Sequence, residues 1–140
     1  MSFSDPKYSH HSYRFITSGL ASLIDTVLVT AATNISIMNA AGCGRLQLNI
    51  LVLQQNLKNV EPNALLLHST LYFDMFTSGP DSIIAQAKEN GKDLGFSYNE
   101  MKTLLELCYS EAMASERREV AVAAKRGLED HVLQLSEFLW

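Results

Sequence analysis

The chain has 140 residues, of which 47% are hydrophobic and 19% charged. That suits one domain with a sizeable core and argues against intrinsic disorder. Eleven basic against fifteen acidic residues give a net charge of −4, which sets aside the basic surface that a nucleic-acid binder needs. Two cysteines, Cys43 and Cys108, make neither a disulfide framework nor a CxxC zinc pair.

The opening Met1–His11 is polar and has no apolar core of a secretory signal, so residues 1–12 are expected to be a flexible segment preceding a helical bundle domain at 13–140. Apolar residues then recur at steps of three and four: Ile16, Leu20, Ile24, Val27, Ala31, Ile35 and Met38 predict one helix over about 13–38. The span Thr26–Gly44 carries no charge but is punctuated by Thr, Asn and Ser, which favours a buried helix over a membrane span. Asn39 is a candidate cap for a second helix whose core stripe is Leu46, Ile50, Leu53, Leu57 and Val60. Gly42 and Gly44 lie where these two helices meet, to kink one or separate two, and are expected to allow close helix approach.

Pro62 is expected in the first turn of a third helix, with Ala64, Leu66, Leu67, Thr70, Leu71 and Phe73 on its apolar strips. Gly79-Pro80 closes that helix and opens a fourth, which runs to Asn90-Gly91 before a short loop to Gly95. Ser97 and Glu100 form a capping box for a fifth helix with Met101, Leu104, Leu105, Cys108 and Ala112 inward. A sixth is expected from Ser115, with Val120, Ala124, Leu128, Leu135 and Leu139 on one face. No period-two alternation occurs. The fold class is all-α, an antiparallel bundle of about five or six helices.

Residues 1–60 carry Lys7, Arg14, Arg45 and Lys58 against Asp5 and Asp25; residues 61–140 hold seven basic and thirteen acidic side chains. The first half is therefore expected to be the more deeply buried. The chemistry-bearing residues do not cluster. His10 and His11 are adjacent, while His68 and His131 each lack a His or Cys at ligand spacing, so no metal site is expected. Gly42-Cys43-Gly44 lacks the strand and the Lys-Ser/Thr pair of a phosphate loop. No catalytic or cofactor-binding residue can be nominated, and the chain is expected not to be an enzyme.

The string Asn49–Asn59, NILVLQQNLKN, resembles the C-terminal region of the Sec-eight subunit family of the exocyst complex. The likeness extends over about residues 15–115, through the aromatic cluster at Tyr72–Phe76 and the helix at Tyr98–Tyr109. The resemblance implies a piece of a longer rod of stacked helical bundles. It also implies a role in tethering secretory vesicles to the plasma membrane, with other exocyst subunits as partners. No cofactor, nucleic acid or small-molecule substrate is implied. Membrane association would be indirect, and the location cytoplasmic and peripheral at sites of secretion. The short PDZ-type ligand of some relatives is not carried over, because Phe138 stands where a hydroxyl residue is required. A free-standing helical adaptor that takes a partner helix in a groove is the alternative.

Two surfaces are candidate partner contacts. One is aromatic, Tyr72 and Phe76, four apart on one helix face. The other is the mixed-charge face with Arg118 and Lys125, where interleaved carboxylates offer an ordinary solvated helix face as the competing explanation.

Overall fold

The computed structural model describes residues 19–139. Among them the secondary structure is helical: α1 (19–30), α2 (Ala40–Lys58), α3 (Leu67–Ser78), α4 (Pro80–Asn90), α5 (Tyr98–Met113) and α6 (Arg118–Leu139), with 3-10 turns at Ala31–Asn34 and Gly91–Leu94. The all-α bundle expected from periodicity is thus the observed class. The expected flexible segment 1–12 and the expected helix start at Tyr13 lie outside the described residues.

The long first helix expected over 13–38 stops at residue 30. The hydroxyls of Thr26 and Thr30 turn back to donate to the carbonyls of Ser22 and Thr26, and Thr33 donates to Thr30. Such back-bonding by β-branched residues weakens a helix interior. The chain tightens into the 3-10 turn, and Ile35 is already extended at φ −86° and ψ 123°. The following strand-like crossing is pinned to the end of α5, where the Met38 N–H donates to the buried Ser110 hydroxyl at 3.0 Å. The inward face of α1 is also rotated from the expected stripe. Ala21, Asp25, Val29 and Ala32 are buried, while Leu20 and Val27 face out.

Asn39 caps α2 as expected, its side chain accepting from the Gly42 N–H at 2.8 Å. Gly42 and Gly44 therefore lie inside the first turns of α2, where they neither kink it nor separate helices. A Cβ on Gly44 would meet nothing within 4 Å, and one on Gly42 would touch the helix's own cap and neighbours. Close helix approach occurs elsewhere, at Gly127 of α6, where a Cβ would come within 3.1 Å of the Tyr109 ring of α5.

Pro62 does not open α3. It occupies the second position of a tight turn, Glu61–Ala64, closed by the Ala64 N–H donating to the Glu61 carbonyl at 3.0 Å. Proline's fixed φ suits that position as well as it suits a helix start. Helix α3 begins five residues later, where another element supplies its cap. Gly79, at φ 95°, and Pro80 at the first turn of α4 end one helix and begin the next as expected. The capping box of α5 is complete, with Ser97 and Glu100 each accepting the other's backbone N–H at 3.1 and 2.9 Å. Helix α6 starts at Arg118 rather than Ser115, because the Ser115 hydroxyl accepts the Arg117 N–H in a turn of its own.

Helices α5 and α6 pack together with α4 against α6, and α3 joins them through α4 and α5. The core gathers Leu66, Tyr72, Phe73, Met75, Ile83, Met101, Leu104, Leu105 and Leu135, all essentially without solvent contact. Helix α2 packs along α3 in antiparallel fashion. Its early residue Gln47 donates to Asp74 and Thr77 late in α3, and its later residue Gln54 accepts the Leu66 N–H at 2.7 Å.

Candidate interaction surface

Helix α3 starts on Leu66, a residue with no side-chain acceptor for the orphan N–H groups of a helix terminus. Asp25 of α1 supplies it. Its carboxylate accepts the His68 N–H at 3.0 Å and the Ser69 N–H at 2.7 Å, and it is itself buried. A negative group at a helix N-terminus also meets the positive end of the macrodipole. This contact fixes α1 across the head of α3, while Gln54 of α2 holds Leu66 from the other side. The positions of three helices are thereby tied at one point.

With that frame fixed, the outer faces of α1, α2 and early α3 are set. Among the described residues thirteen large hydrophobic side chains remain exposed, and eleven of them lie between residues 20 and 71. They include Leu23 at 60% on α1, Leu48 at 59%, Leu51 and Val52 on α2, and Leu67 at 64% on α3. Residues 46–57 carry no charge at all. Leu48, Leu51 and Val52 stand at i, i+3 and i+4, so they form one stripe on the side of α2 opposite the inward Leu46, Ile50, Leu53 and Leu57. The expectation that the first half is the more deeply buried is therefore overturned. Its lack of charge reflects a second apolar face, which no described residue covers. Leu51, Leu65 and Leu67 line one groove, and exposed apolar surface of this kind marks interaction sites.

The two nominated surfaces fare differently. Tyr72 is in the core: it is fully buried, meets Phe73 edge-on at 5.2 Å between ring centroids, and its hydroxyl donates to the Glu100 carbonyl. Burial raises its phenol pKa, with the nearby Glu100 carboxylate adding to the effect. Tyr72 is thus not available as a surface contact. Helix α3 turns it toward α5, against which the helix packs. Phe76, one turn on, is half-buried and packs against the same core. Arg118 and Lys125 are both exposed on α6. The neighbouring Arg117–Glu119 pair at 3.1 Å joins two side chains that are each over 70% exposed, a setting in which ion pairs add little stability.

His131, which stands alone in the sequence, has three partners in space. Its Nε2 lies 2.8 Å from Asp81 Oδ1, and its Nδ1 lies 2.7 Å from Tyr109 Oη and 2.9 Å from the Gly127 carbonyl. A carboxylate only accepts, so Nε2–H donates to Asp81; at Nδ1 an unprotonated nitrogen accepts from the Tyr109 hydroxyl, whereas a protonated one donates to the Gly127 carbonyl, so those two contacts alternate with the tautomer. The three groups join α4, α5 and α6. The order Asp, His, hydroxyl resembles a nucleophilic relay, but burial and the Asp81 charge raise the Tyr109 pKa, the reverse of activation. The arrangement is a clasp. Its signal is absent from sequence spacing, since 50 residues separate Asp81 from His131.

Burial likewise raises both thiols, Cys108 to about 12. Cys43 is buried and its thiol lies 3.5 Å from the Phe73 carbonyl. Among the described residues no group of three His, Cys, Asp or Glu side chains is placed to hold a metal ion, and no helix is long and apolar enough to cross a membrane.

The chain is similar to the probable exocyst complex component sec8 of Neurospora crassa, with 40% identity over 164 aligned positions that cover 91% of this chain and 15% of the relative. The alignment is longer than this chain, so the relative carries additional residues within it. The resemblance read at Asn49–Asn59 is borne out, and it extends beyond residues 15–115. The chain is Sec8-like over that span and corresponds to about one-seventh of the relative's length. No family model matches the chain, and no solved structure matches it.

Proposed function

We propose that this chain is a non-catalytic part of an exocyst subunit, and that it contributes to vesicle tethering by packing against other helical subunits through the uncovered side of α1, α2 and early α3. The observation that carries the reading is the concentration of exposed leucine and valine between residues 20 and 71, together with the uncharged run at 46–57. Fully burying such a side chain stabilises an assembly by about 1.5–3 kcal/mol, so covering the remaining half of Leu48, Leu51 and Val52 is worth roughly 1 kcal/mol each. The likeness to an exocyst component favours this over a free-standing adaptor. The partners are then other exocyst subunits, and contact with the membrane is indirect, at cytoplasmic sites of secretion.

The experiment is co-purification of the chain with the exocyst subunits of its own cell, identified by mass spectrometry, with a thermal melt of each variant. Leu48→Gln with Leu51→Gln and Val52→Thr is expected to lose the subunits and keep its melting temperature. Retention of the subunits by that variant would contradict the proposal.

A further inference from the structure

The uncovered side is not uniform. Between α2 and α3 lies a groove of about 260 Å³ with Leu51, Leu65 and Leu67 as its apolar walls and Gln47, Gln54 and Asp74 along its polar edge. Leu67 and Asp74 are seven residues apart on α3, so they share a face and stand about 10 Å apart along the helix. Asp74 Oδ1 accepts from the Gln47 amide at 2.8 Å, which holds the carboxylate beside the groove. Among the described residues no lysine or arginine lines the groove. Its edge thus has an oriented, exposed carboxylate that a basic side chain of an occupant would complement.

We infer that this groove binds an amphipathic helix of another chain, one that places leucine-type side chains between Leu51, Leu65 and Leu67 and a lysine or arginine against Asp74. The inference rests on the assembly reading and specifies its partner's chemistry. Helix-in-groove recognition needs apolar anchors at i, i+3, i+4 and i+7; the spacing of Leu67 and Asp74 adds a basic residue about two turns from the first anchor. Charge at the edge selects the partner, while the apolar anchors hold it.

The test uses the full chain and two synthetic helical peptides of about 16 residues, long enough to form several turns. Both carry the same leucine stripe; one has lysines on its flanks, the other glutamates. The lysine peptide is expected to bind about tenfold tighter than the glutamate peptide, read by fluorescence anisotropy. Its amide shift changes are expected to map to α2 and α3. Because the chain is acidic overall, Asp74→Asn is the deciding variant. It should collapse the tenfold preference to within about twofold, while Leu67→Gln weakens both peptides, each with an unchanged melt. A preference that survives Asp74→Asn would overturn the inference, as would shift changes centred on α5 and α6, or apolar contacts filled by a second copy of the chain in light scattering. The two readings fail separately. If exocyst subunits still co-purify with the Asp74→Asn, Leu67→Gln double variant, the groove inference falls and the assembly reading stands. If the peptides behave as expected but no exocyst subunit co-purifies, the reverse holds.

Discussion

Leu66 stands where helices usually begin on Ser, Thr, Asp or Asn, and the missing acceptor arrives from 41 positions earlier in the chain. Two charge-assisted hydrogen bonds donated to Asp25 at 3.0 and 2.7 Å replace a local cap. Asp25→Ala leaves one buried and one part-buried N–H group without acceptors, and the expected loss is about 2 kcal/mol, visible as a lower urea midpoint with an unchanged slope. Asp25→Asn retains one acceptor oxygen and should fall between the two. At Cys108 the effect is one of pH. Its thiol is pushed from 9.0 to about 12, mainly by burial, so the fold favours the neutral form. The native state holds its proton where the unfolded chain releases it, so this stabilisation is complete below pH 9 and is lost as pH rises toward about 12. Thermal melts from pH 8 to pH 11 should show a progressive decline, which Cys108→Ala blunts. At pH 8 alkylation of Cys108 in the folded chain should be at least about a hundredfold slower than that of a free thiol.

At the scale of helices, the contact between α5 and α6 depends on Gly127. An alanine there would gain about 1 kcal/mol of helix propensity, but its Cβ would stand 3.1 Å from Tyr109 Cε1 and Oη. That ring is held by His131 at 2.7 Å and cannot swing aside without breaking the clasp to Asp81. Overpacking of this kind costs about 1–3 kcal/mol, so the net expectation for Gly127→Ala is a loss of about 1 kcal/mol. In a Tyr109→Leu background the obstacle is gone, and the same change should become neutral or stabilising in a denaturation series. Helix ends were legible in the sequence where the cap is local: Asn39, Gly79-Pro80 and Ser97 with Glu100 each act within a few residues of where they stand. The start of α3 was not, because its cap belongs to α1. The end of α1 is not legible, because apolar spacing continues through Ile35 and Met38 beyond the residues where the helix tightens into a 3-10 turn and ends.

At the scale of the molecule, the exposed apolar side chains of the described residues are concentrated in one part of the fold. Helices α4–α6 leave Val122 and Leu133 as their exposed large hydrophobics, whereas residues 20–71 leave eleven. The aromatic and basic residues nominated from the sequence did not reveal this. Tyr72 is internal despite its aromatic character, whereas Leu48 and Leu51, which in sequence look like ordinary members of an apolar helix, are exposed. The signal was present in their phase: they fall off the stripe of Leu46, Ile50, Leu53 and Leu57, with no charged residue from 46 to 57 to mark a solvent face. A helix that is apolar on two sides needs two partners, and here α3 provides one of them. The most direct measurement is hydroxyl-radical footprinting of the chain alone and within the purified exocyst assembly. Leu48, Leu51, Val52 and Leu67 are predicted to be labelled in the free chain and protected in the assembly, with Leu133, 66% exposed on α6, labelled equally in both. Equal labelling of the α2 and α3 leucines in both states, or protection confined to Leu133 and its neighbours, would contradict the account.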